Sequence, residues 1–358
     1  MISYIEVRDK YSRLPFATIE PAECWFELSY YGVGEFQVYT RATKTALASL
    51  KDGNYISLPH LPFVWLIENI DATYVAGRGY MISATGRQAK AILGKRIINA
   101  QTQLPNDLTT TVFELIQKNA GAAAGAIRKI DGLEELTSLI IQPITETQVS
   151  YENLLTYTDN LLQAYGIGAE LLLTEAAAFR YNLYSGVDRS AEIIFSQTFD
   201  NLLSSSYKRN AAAFRTYALI GGEGEGTARI LQEYNADTSV RGIDRAEMFV
   251  DAKDISSKYT DGSGQEQELD LTNAADLATY KGWLTERGKT KIAETAQIES
   301  FEGEIDTAAT PYKFGEDFYL GDRVRVQDDF LGVYITPRIL KFTMRQDRTY
   351  GELVEYGG

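Results

Sequence analysis

TPYKFGEDFYLGDRVRVQDDFLGVY, residues 310–334, is the stretch from which the fold of this 358-residue chain is worked out. Phe318 and Leu320 alternate with polar neighbours, and Gly321-Asp322 supplies a turn. Arg323 to Gln327 alternate charged and apolar, Asp328-Asp329 with Gly332 break the run, and Val333, Tyr334 and Ile335 begin another strand. Successive strand side chains point to opposite faces, so Val324 and Val326 are expected inside and Arg323 and Arg325 outside. The stretch follows a predicted long helix, so its strand partners must lie much earlier. A ribbon closing a sheet begun more than a hundred residues before makes the intervening chain an insertion.

Outward from that ribbon, residues 1–95 read as all-β. Ile5 and Val7, Cys24 to Leu28, Phe36 to Tyr39, Tyr55 to Leu58 and Tyr80 to Ala84 are short strands, and Phe63 to Ile67 is an apolar run suited to a strand buried on both faces. Turn signals every ~8–12 residues suggest a barrel or sandwich. The period changes over 96–180. Leu108–Asn119 is a predicted helix capped by Asp107, Ser150–Tyr165 a second capped by Ser150, and Gly168–Leu173 and Ala178–Leu183 are strands. β character returns from Glu192 to Val250. Lys258–Asp270 is a polar linker, Leu271–Ala296 the longest helix and Ile298–Ile305 a strand. Gly288 costs that helix ~1 kcal/mol relative to alanine.

An apolar share of 44% with 23% charged residues excludes wholesale disorder. The net charge of −14 disfavours any site that grips nucleic-acid phosphates, though not a surface past which DNA slides. One cysteine, Cys24, excludes an intrachain disulfide and a multi-cysteine metal site. No apolar run approaches the ~18–20 residues of a membrane span, and the N-terminus has no signal-peptide pattern. Synthesis in the cytoplasm is therefore expected.

The chemical candidates reduce to structure. His60, the only histidine, sits between prolines with no nucleophile elbow. Gly221-Gly222-Glu223-Gly224-Glu225-Gly226 carries two glutamates where a phosphate loop needs none, and Arg229 to Tyr234 reads as a strand. The pairs Glu316/Asp317 and Asp328/Asp329 fall at turns in a chain with 49 acids, so adjacency is expected by chance. After Gly186, the run Asp188-Arg189-Ser190 pins a turn, with Arg189 expected to meet a buried acid. No catalytic, cofactor or metal residue is assigned.

Several of these stretches, in order, resemble the baseplate-hub (tail-tip hub) proteins of long-tailed bacteriophages, in the siphophage branch. The residues that carry the likeness are Gly186, Asp188, Arg189, Ser190, Arg229, Arg245, Asp251, Arg287, Gly288, Gly303, Leu320, Gly321 and Asp322, with Ile67-Glu68, Gly86-Arg87 and Lys95-Arg96 earlier. The resemblance implies a mainly β protein with α insertions (α+β). It has two related β-barrel-like tube domains, 1–95 and 181–258 with 298–358; an α+β domain lies at 96–180, and a linker and long helix are inserted at 259–297. It implies a non-enzymatic virion protein at the tail tip, a homotrimeric ring that adapts a six-fold tube to a three-fold tip and lets DNA pass without specific binding. The implied partners are the chain itself, a distal tail or tail tube protein, a tape-measure protein, and a spike, fibre or receptor-binding protein, with no membrane span and no cofactor. Ending at Tyr356-Gly357-Gly358, the chain is expected to leave wall cutting and receptor binding to other proteins. The rivals are a cell-wall glycosidase or peptidase, which needs a cleft of converging acids, and a carbohydrate-binding adhesin, which needs exposed coplanar rings.

Overall fold

Val324 and Val326 are fully buried and Arg323 is exposed, as alternation requires. The structure is a computed structural model and describes residues 2–145, 147–210, 212–261, 265–295, 298–306, 309–347 and 350–357. Arg325–Asp328 pairs antiparallel with Val333–Ile335 and in parallel with Ile194–Ser196, a partner far back in the chain. Phe318 and Leu320 are buried, but their segment is looped rather than extended. The Gly315 N–H donates to the Phe318 carbonyl and the Asp322 N–H to the Tyr319 carbonyl, so these backbone groups are satisfied locally.

Beyond Pro337 the chain enters the principal sheet, which has eleven strands. Their spatial order is Leu202–Asn210, Ile298–Ile305, Tyr350–Gly357, Arg338–Gln346, Glu23–Ser29, Glu35–Arg41, Gly79–Gln88, Val64–Val75, Tyr55–Ser57, Ile5–Arg8 and Pro15–Ile19. Early and late chain meet where Arg338–Gln346 pairs antiparallel with Glu23–Ser29, from Lys341 opposite Ser29 to Gln346 opposite Cys24. Two separate barrel-like domains were expected. Instead one continuous sheet crosses between them, and among the described residues it ends at Leu202–Asn210 and Pro15–Ile19 without closing. The reason is a shared core: Phe26, Leu28 and Trp65 pack in one cluster with Phe301, Phe342, Val354 and Tyr356, so separating the halves would bare both.

The two halves nonetheless repeat one plan. In the early quartet Glu23–Ser29, Glu35–Arg41, Val64–Val75 and Gly79–Gln88 are first to fourth in chain order, and their spatial order is first, second, fourth, third. The late quartet, Leu202–Asn210, Ile298–Ile305, Arg338–Gln346 and Tyr350–Gly357, has the same order. The joint inside the chain therefore sets the third strand of one quartet against the first strand of the other.

Two further cores lie apart from the principal one, the first of them against Val64 and Leu66 of the sheet. The first holds the helices Leu108–Asn119 and Leu154–Ala164 and a sheet of Leu133–Ser138, Gly168–Leu173 and Phe179–Tyr184. Asp107 caps the first helix by accepting from the Thr110 N–H at 2.8 Å; Asn153, not Ser150, caps the second through the Thr156 N–H at 3.1 Å. The doubly buried strand is real: Trp65 and Ile67 face the principal core while Val64 and Leu66 face the helical one. In the last core, Tyr217–Gly221, Leu231–Asn235 and Glu247–Asp251 form their own sheet against the helix Ala274–Ala293. Residues 217–251 were expected in the second barrel-like domain, but Ala218, Ile220 and Val250 bury against Tyr280, Trp283 and Leu284 instead. The polar linker is a short ribbon, Lys258–Thr260 against Glu266–Glu268; its Gly262-Ser263-Gly264 lie outside the described residues. No helix among the described residues is long and apolar enough to cross a membrane.

Candidate functional site

The residues singled out from sequence fall into four structural clasps and one close strand contact, and none lines a reaction centre. Gly186 and Gly321 mark where two chain segments cross backbone to backbone: a Cβ on Gly186 would lie 1.8 Å from the Gly321 carbonyl. Gly321 also has φ +86 and supports the Tyr30 ring, which leaves no room for a side chain. Beside the crossing, Asp322 is only 3% exposed. It accepts from the Val187 N–H at 2.7 Å, the Tyr319 N–H at 2.9 Å and the Arg189 Nε at 3.0 Å. Arg189 thus meets a buried acid, and Asp188 caps the turn through the Ser190 N–H at 2.9 Å. Leu320 is buried in the same crossing.

The other clasps lie in the helix-backed unit. Arg229 donates to the Gly221 carbonyl at 2.7 Å and the Gly222 carbonyl at 3.1 Å, and reaches Asp251. The glycine-rich loop is therefore held by an arginine and has no vacant anion cradle. Arg245 pairs with Glu247 and stacks 3.9 Å over Tyr217. Arg287, on the long helix, holds Asp254 through two hydrogen bonds of 2.7 and 3.1 Å and reaches Glu152 of the neighbouring unit at 3.7 Å. A Cβ on Gly288 would lie 2.6 Å from Ile220, so that glycine lets helix and sheet approach. In the principal sheet, Gly303 backs onto Leu202 in the same way.

Among the described residues, the acids that the rival enzyme reading needs do not converge. His60 occupies a left-handed turn with φ +66 on the surface. Glu316 pairs with Lys313, and Asp317 accepts from the Lys313 N–H at 2.9 Å. An open groove of about 870 Å³ contains two carboxylates, Glu6 and Glu20, and the first is tied to Arg8 at 2.6 Å. Among the described residues, no group of three or more His, Cys, Asp or Glu side chains is placed to hold a metal. Burial within packing contacts pushes Glu27, Asp159, Glu170 and Glu352 above their ordinary range, as for Asp159 against Lys90 at 3.0 Å and Glu170 under the Tyr319 hydroxyl at 2.9 Å and Asn182 at 3.0 Å. The exposed ring pair Tyr74–Tyr80 stands edge to face at 65°, not coplanar.

What remains open is backbone. Among the described residues, the outer edge of Leu202–Asn210 has no strand partner. The far half of Val64–Val75 is similar: Tyr55–Ser57 covers only Val64 to Leu66, and Asn69 to Val75 pair only with their own hairpin. Sequence reading gave no sign of these edges, because each strand looks ordinary and only its neighbours show which side is unpaired. Unpaired edges are liabilities that proteins cover or use.

The family described as Siphovirus ReqiPepy6 Gp37-like protein matches residues 5–355. No curated protein sequence matches. Among solved structures, the fold is similar to the 43 kDa tail protein of prophage MuSo2 from Shewanella oneidensis, with TM-score 0.62, 10% identity, and coverage of 99% of this chain and 98% of that one. The tail protein from Neisseria meningitidis MC58 gives 0.58 at 10% identity, covering 99% and 96%. Prophage tail protein gp18 from Listeria monocytogenes EGD-e gives 0.55 at 11% identity, covering 99% and 94%.

Proposed function

Since the chain belongs to the Siphovirus ReqiPepy6 Gp37-like family of siphovirus tail proteins, we propose that it is the tail-tip hub. In this reading three copies form a head-to-tail ring that continues the tail tube, adapts its six-fold symmetry to a three-fold tip and lets DNA through. The observation that carries the proposal is the repeated quartet. Within one chain, the third strand of the late quartet pairs with the first strand of the early one. The same contact made between chains sets Val64–Val75 against the Leu202–Asn210 strand of the next copy; among the described residues the far half of the first and the outer side of the second are open, as is the outer side of Pro15–Ile19. All neighbours along the eight strands are antiparallel, so the mating edges run antiparallel as well. Three copies present six quartets, and a repeated heterologous contact closes a ring when its rotation fits.

Twenty-four strands at about 4.8 Å spacing make a wall about 115 Å around and about 37 Å across between backbones. Barrels of about 16–18 strands already enclose an aqueous channel. The face of the quartets turned from the core is polar, and many of its bases are neutralised within the sheet: Lys208 by Glu302, Arg345 by Glu304, and Lys341 by Glu27 and Glu355. Glu23, Glu35 and Asp71 stay exposed. Such a wall repels phosphate weakly and holds none of it, which suits passage. The protein then acts by assembly and not by chemistry. A distal tail or tube protein sits on one rim, a spike, fibre or receptor-binding protein on the other, and the tape-measure protein and DNA pass through.

Mass measurement in solution with negative-stain imaging tests this. Particles of three chains with a central hole are expected; a monomer that stays monomeric at high concentration and alongside its tail neighbours would overturn it.

A further inference from the structure

The rim beside the open Leu202–Asn210 edge carries a fixed apolar patch. Phe330 is 94% exposed, and Phe199, Leu331 and Tyr334 are exposed near it. The patch is built, not loose: Asp329 accepts from the Thr198 hydroxyl at 2.8 Å and the Tyr334 hydroxyl at 2.7 Å, and Asp328 from the Ser205 hydroxyl at 2.8 Å and the Leu331 N–H at 2.9 Å. Two acids, Asp200 and Asp329, face solvent there. At the opposite end of the quartets, the Val64–Gln88 hairpin runs past its Glu35–Arg41 neighbour, whose pairing stops at Arg41 opposite Met81. The projecting tip carries exposed Tyr74, Arg78 and Tyr80.

We infer that the apolar, acidic rim formed by Phe199, Phe330, Leu331 and Tyr334 with Asp200 and Asp329 is the seat for the Tyr74–Tyr80 hairpin tip of a second copy of this chain. The inference rests on the ring reading, because antiparallel mating of the two edges brings the end of Val64–Val75 to the start of Leu202–Asn210. It adds that the contact is locked outside the backbone ladder. Tyrosine rings meet an apolar seat, and a single arginine meets two carboxylates. Aromatic residues and arginine are the side chains that carry most binding energy at protein interfaces. Lone apolar residues on a surface need no explanation, but a braced cluster next to an unpaired edge marks an interface.

Cysteines at Arg78 and Phe330 test it, joined by a short bismaleimide on the full chain. Cys24 does not interfere, because burial pushes its thiol up to about 12 and leaves little thiolate to react. The double variant is expected to give covalent dimers and trimers on a denaturing gel, and each single variant none. In addition, Phe330→Asp, at a side chain that packs on nothing in the monomer, is expected to weaken the trimer by roughly thirtyfold or more. A trimer that forms normally with no cross-link and with Phe330→Asp unaffected would overturn the hairpin seat and leave the ring standing. Absence of any trimer in the unmodified chain would overturn both.

Discussion

Asp322 shows how much one buried carboxylate can organise, since it fixes Val187, Tyr319 and Arg189 at the point where Gly186 and Gly321 cross. Asp322→Ala leaves two buried N–H groups unsatisfied and the arginine without its acid. A loss of about 3 kcal/mol is expected, the low end for a broken buried pair because Arg189 is a third exposed; it is read from urea unfolding at unchanged slope. Gly186→Ala is expected to cost more, because the obstacle is backbone that cannot move aside. Glu170 offers a test of sign. Burial holds it above its ordinary 4.5, so the folded protein keeps that proton longer than the unfolded one. Its penalty is absent below pH 4.5 and grows as pH rises through the folded value. Glu170→Gln should therefore show a shallower loss of stability above pH 4.5 than the parent, and equal slopes would contradict the assignment. That Arg189 pins a turn by reaching an acid was legible in Gly186-Val-Asp-Arg-Ser; which acid was not, because it comes from residue 322.

The helix Ala274–Ala293 turns a local rule against itself. Helix propensity says Gly288→Ala gains about 1 kcal/mol, yet the added methyl meets Ile220 at 2.6 Å and Tyr234 at 3.2 Å. Overpacking costs about 1–3 kcal/mol, so the substitution should lower the melting temperature rather than raise it. Elements with strong local signals were legible: Leu108–Asn119 through Asp107, and Ile298–Ile305 through its period. Pro15–Ile19 was not, because Pro-Phe-Ala-Thr-Ile alternates weakly and is a strand only by virtue of Ile5–Arg8 beside it. Ser150 lost its capping role to Asn153 for a local reason too: the chain bends between them, with Tyr151 in the left-handed region at φ +57 and its N–H donating to the Ile98 carbonyl. Phe318 and Leu320 have the spacing of a strand and the burial of one, but the turn at Gly315 and the crossing at Gly321 use their backbone otherwise.

For the whole molecule, the decisive fact is that early and late chain share one core and one sheet. Residues 1–95 expressed alone should show no cooperative unfolding transition, because Phe26 and Leu28 would face water where Phe342 and Met344 belong; a sharp transition by calorimetry would contradict the shared core. The β character of 1–95 and its return after Glu192 were legible in the residues, while two related halves came only from the resemblance; the joint between early and late chain was not legible, since pairing across such a span leaves no local mark. The same feature constrains how the protein is made. Glu27 waits for Lys341, 314 residues downstream. At about 5–20 residues per second, a ribosome takes about 15–60 s to deliver it. Until then the nascent chain exposes a half-finished edge that needs shelter from chaperones, and a copy whose translation aborts never acquires the late quartet with which a neighbour would engage. In the ring reading, synthesis thus proofreads assembly: truncated products would be left out before any symmetry is set.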